Sequence, residues 1–141
     1  MNTQHAAAVR LMNPPGLYDP APHGYSHVAV ISPGTRLVIV SGQGGENERG
    51  DLAPDFRAQV RQAFGNLQVA VTAGGAALGD IAKLTLLIVD HNEEKLAVFG
   101  AELDRVWPAG RMKPACTLIP VERLALKGML FEVEAMAVAE S

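Results

Sequence analysis

The segment DIAKLTLLIVD at residues 80–90 limits the possible folds most, because its pattern predicts a β-strand that is apolar on both faces. Its even-numbered side chains, from Ala82 to Ile88, are all apolar. Leu87 and Val89 make much of the opposite face apolar as well. A strand of this kind is stable only inside a sheet that is covered on both sides.

Four further strands are predicted around this one, from β-branched and apolar runs between turn residues. The first two, HVAVI (27–31) and RLVIVSG (36–42), are joined by SPGT. Pro33-Gly34 suits the centre of a type II turn, so these two strands are expected to form a hairpin. The last two are CTLIPV (116–121) and MLFEVEAMAVA (129–139).

Two amphipathic helices are predicted between the strands. The first runs from about Asp55 to Ala73, with Gly74-Gly75 as its stop, and the second is capped by Asn92 and extends through Trp107. Their apolar side chains recur at spacings of three and four residues: Phe56, Val60, Ala63, Phe64, Leu67 and Val71 in the first, and Leu96, Phe99, Leu103 and Val106 in the second.

The predicted order β-β-α-β-α-β-β is an α+β arrangement with two helices packed on one sheet. Residues 1–23 are rich in proline and are expected to be an irregular N-terminal segment, followed by a single domain over 24–141. Two helices cover only one face of a sheet. We therefore expect a partner subunit to cover the other face.

Composition and charge exclude several classes of function. The net charge is −3 and the basic residues form no patch, so nucleic-acid binding is not expected. No apolar run reaches the roughly 18 residues of a membrane span, and the N-terminus lacks a basic signal-peptide region, so a cytoplasmic location is expected. The histidines show no metal-ligand spacing, and the single cysteine excludes an intramolecular disulfide.

Two residues stand out as candidates for chemistry. Glu132 lies within an apolar strand, either because that strand is an edge with one wet face or because its carboxylate lines a cleft and has a raised pKa. Cys116 is either a small buried hydrophobe or a catalytic thiol. The second role needs a base, for which His27 is a candidate across the fold.

Six segments resemble, in order, the signature segments of the RidA/YjgF family and span residues 24 to 139. They are GYSHVAV (24–30), VSGQ (40–43), QVRQAFGNLQVAVTAGG (59–75), DIAKLTLLIVD (80–90), KPACTLIPVERL (113–124) and FEVEAMAVA (131–139). The resemblance implies a chorismate-mutase-like fold and a homotrimer with a ligand cleft at each subunit interface. It also implies cofactor-free hydrolysis of reactive imines and enamines to a keto acid and ammonia.

The resemblance also assigns roles to residues of this chain. Glu132 corresponds to the glutamate that positions the attacking water, Tyr25 to a pocket tyrosine, and Ser41-Gly42 to the loop that completes the pocket. The arginine that grips the substrate carboxylate is replaced by Cys116, which is followed by Thr117 as a further candidate for substrate binding. A helix position that is often asparagine corresponds to Gly100.

Loss of the arginine has a physical cost, since a thiol cannot replace a bidentate guanidinium–carboxylate pair. Breaking one such buried pair costs about 2–5 kcal/mol, or roughly 30- to several-thousand-fold in the use of imines derived from amino acids. Arg111 and Lys113 precede Pro114 on an expected exposed turn and are not expected to compensate.

A small, neutral ligand therefore suits this pocket better than a simple α-imino carboxylate. The sequence leaves open a non-catalytic trimeric module that binds a metabolite or a partner protein through the same cleft. Ribonuclease activity fits poorly with a sequence pI of about 5.8.

Overall fold

The computed structural model describes residues 8–140 and contains six strands and two helices within that range, together with two short 3-10 turns. The elements are β1 (Val9–Met12), β2 (Val28–Ile31), β3 (Arg36–Gly44), α1 (Phe56–Ala73), β4 (Ile81–Val89), α2 (Glu93–Val106), β5 (Ala115–Val121) and β6 (Phe131–Ala139).

Both helices begin at the residues that the sequence predicts. The Asp55 carboxylate accepts a hydrogen bond from the backbone N–H of Ala58, and Asn92 accepts one from Lys95 in the same way. Helix α1 ends at Ala73 with Gly74 as its C-terminal cap, and the following Gly75 has a φ of 87°, a conformation that favours glycine. The predicted helices are therefore confirmed to within one residue at each end.

The main sheet has four strands in the order β3-β6-β4-β5, in which β4 and β5 are parallel and the other neighbours are antiparallel. Both helices pack on one face of this sheet and enclose the core. Its largest fully buried side chains include Phe64, Leu67, Leu84, Leu86, Ile88, Leu103 and Phe131. The predicted α+β arrangement of two helices on one sheet is confirmed.

The predicted hairpin is wrong. Strand β2 pairs with β1, where Ala29 lies opposite Leu11, whereas β3 pairs with β6. Gly34 does adopt a turn conformation, with a φ of 75°, but the strands on either side of the turn join different sheets. A turn motif determines a local change of direction, and long-range packing determines which strands pair.

The N-terminal segment is also more ordered than the sequence predicts. Residues 9–12 form β1, so the order of strands and helices gains a strand at its start, and the expected irregularity is wrong there. Residues 1–7 lie outside the described residues. The backbone N–H of Ser26 donates to the carbonyl of Pro114 at 3.0 Å, which ties the start of β2 to the start of β5.

The second face of the main sheet is not covered by the helices, as the sequence predicts. Several large apolar side chains on this face remain exposed: Leu37 is 51%, Ile39 72% and Ile119 42% exposed. Exposed apolar side chains this close together on one sheet face are typical of an interaction surface. We refer to this side of the sheet as the open face.

The two helices are joined by the buried carboxylate of Glu102 on α2, which is only 1% exposed. It accepts hydrogen bonds from Arg57 and Arg61 on α1, at 2.8 to 3.0 Å, and from Arg105 on its own helix at 3.0 Å. Hydrogen bonding from Arg61 is the main cause that lowers the pKa of Glu102 to about 2, against an opposing effect of burial.

We expect Glu102→Gln to lower the free energy of unfolding at pH 7 by on the order of 2 kcal/mol, since the half-exposed arginines are partly screened by water. The pKa of the folded carboxyl lies below its ordinary value of 4.5. The stabilisation is therefore complete above that pH and is lost as the pH falls toward 2. Urea unfolding at several pH values measures the difference.

Glu94→Gln, which changes an exposed carboxylate on the same helix, is the matched control and should change stability little. A difference between Glu102→Gln and the wild-type protein that does not depend on pH would contradict this account of the buried carboxylate.

Candidate functional site

Tyr25 and Cys116 line one cavity of about 620 Å³, between α2, β5 and the segment at residues 18–25. Cys116 pairs in register with Leu84, a fully buried core residue, and therefore faces the helix side of the sheet. The apolar part of the cavity wall includes Leu86, Leu96, Phe99 and Leu118. The cavity is thus apolar along its strands and helix, with a few polar groups.

Gly100, on α2, lines the same cavity. A Cβ atom at this glycine would meet no atom within 4 Å, so the cavity is open at this point. The correspondence between Gly100 and an asparagine stays a prediction from the resemblance.

The Cys116 thiol is uncharged at neutral pH. Burial raises its pKa to about 11, and the positive charge of Lys83 offsets only part of this effect. The candidate base His27 is not among the residues that line the cavity, and its Nε2 lies 2.8 Å from the carbonyl oxygen of Tyr18. A thiolate nucleophile activated by His27 is therefore not supported.

Tyr25 belongs to an aromatic group at one end of the cavity. Its ring contacts those of Tyr18 and His27 edge to face, with ring centroids 6.4 and 5.6 Å apart. Tyr18 also contacts His23, and both of these residues line the cavity. Edge-to-face packing of this kind fixes the orientation of Tyr25.

Ser41, Gly42 and Glu132 lie together elsewhere, at the open face. Glu132 is opposite Gly44 of β3 and Leu87 of β4. The pairing of β3 with β6 shifts register between Val40 and Gln43, which places Ser41-Gly42 in a bulge. A Cβ atom at Gly42 would overlap the Glu132 carboxylate, so only glycine permits this close approach.

The Glu132 carboxylate is half-buried, and burial raises its pKa. The neighbouring carboxylates of Glu46 and Glu134 raise the pKa further. Within residues 8–140, no group donates a hydrogen bond to this carboxylate. Strand β6 lies between β3 and β4, so the interpretation of β6 as a wet edge strand is wrong.

Thr117 faces away from the cavity, because successive side chains of a strand alternate between the two faces. Its hydroxyl accepts a hydrogen bond at 2.5 Å from Lys83 Nζ. The candidate residues therefore form two groups on opposite sides of one sheet, Tyr25 and Cys116 on one side and Ser41, Gly42, Thr117 and Glu132 on the other. One chain does not bring the two groups into one pocket.

Two charged residues outside the predicted site, Lys113 and Asp104, also line the cavity. Lys113 forms an ion pair with Asp104 of α2, and its side chain is 22% exposed. The expectation that Lys113 lies on an exposed turn is therefore wrong. Arg111, in contrast, does not line this cavity. The one feature of the sequence that could have placed Lys113 near the site is its position three residues before Cys116.

Among residues 8–140, no three His, Cys, Asp or Glu side chains are grouped so that they could hold a metal ion. His5 lies outside that range. In the same part of the chain, neither helix is long and apolar enough to cross a membrane.

Residues 18–139 match the family model described as Endoribonuclease L-PSP. The RutC family protein YjgH of Escherichia coli K12 is 44% identical over 74 residues, which cover 52% of this chain and 54% of that protein. The 2-iminobutanoate/2-iminopropanoate deaminase of the same strain is 34% identical over 104 residues, or 72% of this chain and 79% of that enzyme.

Among solved structures, a Rid-family protein of unknown function from Yersinia pestis superposes with a TM-score of 0.82 at 31% identity, covering 92% of this chain and 98% of that one. The fold is the chorismate-mutase-like α+β fold that the sequence analysis expected. With a matching family model, relatives of this similarity and two helices on a mixed sheet, the chain belongs to the RidA/YjgF family.

Proposed function

We propose that this chain is a cofactor-free hydrolase of imines or enamines, acting on a small metabolite in the cytoplasm. The observation that supports this most directly is the Glu132 carboxylate, which lies against Gly42 with a raised pKa and no hydrogen-bond donor among the described residues. An unpaired carboxylate of this kind can accept a proton from water near neutral pH. A relative with 34% identity is named as an imine deaminase.

The proposed active form is a homotrimer in which each site is shared between two copies. One copy supplies the cavity of Tyr25 and Cys116, and its neighbour supplies Ser41, Gly42 and Glu132 from the open face. The exposed apolar residues of the open face, including Ile39 at 72%, favour such an association. The separation of the two groups of residues within one chain is the structural reason for this arrangement.

In the proposed reaction, Glu132 accepts a proton from a water molecule as the water oxygen bonds to the carbon of the C=N group. The nitrogen of the resulting intermediate takes that proton from Glu132 and, as the C–N bond breaks, the proton of the new hydroxyl group, so it leaves as ammonia and Glu132 is again ionised. The products are a carbonyl compound and ammonia, so one water is consumed and no electrons are exchanged. Tyr25 and Ser41-Gly42 would line the site around the reacting group.

We propose that Cys116 changes the substrate preference relative to relatives with an arginine at this position. The neutral thiol offers no charge to a carboxylate at that point of the cavity, and its pKa of about 11 keeps it neutral over the physiological range. Short α-imino carboxylates should therefore be poor substrates.

Glu132→Gln should lower kcat by about 100-fold or more, because the amide cannot accept the proton of the attacking water. Stopped-flow hydrolysis of imines released from serine, threonine and amino acids with larger apolar side chains measures the effect. Because the raised pKa must be exceeded before Glu132 is ionised, the wild-type rate should rise with pH through that pKa.

Glu134→Gln, two residues along the same strand, is the matched control. It should retain the maximal rate and shift the rise in activity to lower pH, since one of the charges that raise the Glu132 pKa is gone. If the wild-type protein hydrolyses no member of the series, or no faster than Glu132→Gln, the proposal is contradicted. Ligand binding without any turnover would then favour the non-catalytic module.

Cys116→Arg should increase the hydrolysis of 2-iminopropanoate and 2-iminobutanoate by about 30-fold or more, because it supplies a guanidinium for the substrate carboxylate. Both compounds are generated in the assay by a dehydratase acting on serine or threonine. Cys116→Ser, which adds no charge, is the control and should leave the rate unchanged. Equal rates for all three proteins would show that residue 116 does not determine this preference.

A further inference from the structure

The cavity contains one ion pair that the proposed chemistry does not use. Lys113, just before β5, and Asp104, on α2, both line the cavity and are paired through Nζ and Oδ1. The rest of the wall is largely apolar, and the Cys116 thiol is neutral. Lys113 is the one lysine or arginine among the described residues that line the cavity, so it is the cation best placed to meet an anionic group there.

The backbone around Lys113 is held rigidly by hydrogen bonds from buried residues. The carbonyl of Lys113 accepts a hydrogen bond at 2.5 Å from the hydroxyl of Ser26, which is 2% exposed. The carbonyls on either side, of Met112 and Pro114, accept hydrogen bonds from the Trp107 indole and the Ser26 backbone. A charged side chain on such a fixed backbone loses less entropy when it binds a ligand.

The two partners differ in their contact with solvent. The Lys113 side chain is 22% exposed and that of Asp104 is 67% exposed. If a ligand anion displaces Asp104, the aspartate returns to water at small cost and Lys113 stays paired. If a ligand cation displaced Lys113, the lysine would be left half-buried without a partner, which is unfavourable. The difference in exposure thus favours an anionic ligand.

We propose that Lys113 anchors the carboxylate of the substrate, and that Asp104 holds Lys113 in place until the substrate arrives. The carboxylate lies at the Lys113 end of the cavity, and an apolar side chain of the substrate packs against Phe99 and Leu118. The substrate class is an imino or enamino acid with a large apolar side chain. This proposal rests on the proposed function, and it replaces the neutral ligand expected from the thiol alone.

Binding of a matched pair of probes tests the proposal without requiring turnover. 3-Phenylpropionate carries a carboxylate and an apolar ring, and 3-phenylpropanamide has nearly the same shape without the charge. Calorimetric titration of the wild-type protein should give a Kd for the carboxylate about tenfold to a hundredfold lower than for the amide. Equal affinities, or failure of the carboxylate to bind, would overturn the proposal.

Substitutions of the ion pair identify the anchor. Lys113→Met keeps the length of the side chain and should remove the preference for the carboxylate, while Lys113→Arg should retain it. Asp104→Asn should bind the carboxylate several-fold more tightly, because it removes the competing anion. If Lys113→Met binds both probes like the wild-type protein, Lys113 is not the anchor.

A pair of glycine variants tests whether the probe occupies this cavity. Gly100 and Gly65 both lie within helices, and a Cβ atom at either would meet no atom within 4 Å, so leucine should be tolerated at both. Only Gly100 lines the cavity, so Gly100→Leu should abolish binding and Gly65→Leu should not. Glu132→Gln should lose turnover but keep the preference for the carboxylate over the amide, which separates failure of this proposal from failure of the proposed reaction.

Discussion

The two faces of the main sheet have different surroundings, and the arrangement of the candidate site depends on this difference. Strand β4 is wholly apolar on one face and partly apolar on the other, where Leu87 and Val89 follow Lys83 and Thr85, and α1 and α2 cover only the first. Side chains that point toward the helices, such as Leu84 and Leu86, are fully buried. On the open face, Ile39 and Ile119 remain exposed. Burial of this second apolar face supplies the free energy for the proposed association.

Close packing around Gln59 positions the carboxylate of Glu132 on the open face of the sheet. Its buried side chain donates to the carbonyls of Ala53 and Gly128 and accepts from the backbone N–H of Leu130, which fixes the chain just before β6. On the other side, a Cβ atom at Gly45 would overlap the Gln59 backbone. Gln59 therefore holds both the start of the loop after β3, at Gly45, and the strand that bears Glu132.

Local features of the sequence were sufficient to predict the helices. Asp55 and Asn92 cap them through contacts within three residues, and the periodicity of apolar residues identifies the buried side. The predicted hairpin is wrong because Pro33-Gly34 specifies only a turn. The partner of β2 is determined by contacts with β1, which lies in an earlier segment of the chain. Strand β1 was missed for the same reason, because it is defined by its pairing with β2.

Local features of the sequence also predicted parts of the site. Alternation along a strand separates Cys116 from Thr117, but the sequence does not show which side the helices cover. Residue type identified Glu132 as unusual within an apolar strand. The role of Lys113 depends on its distance from Asp104, and the two belong to different segments, so their pairing became visible only in three dimensions.

The proposed active site is built from two copies of this chain. Its most direct test mixes Glu132→Gln with Gly100→Leu, each expected to be inactive alone, after dissociation and reassociation in equal amounts. The test uses whichever background, wild type or Cys116→Arg, has the higher turnover. Sites shared between copies predict recovery of about a quarter of the unmutated activity, because one site in four combines an intact cavity with an intact carboxylate. Sites confined to one copy would give no recovery, and that result would contradict the account.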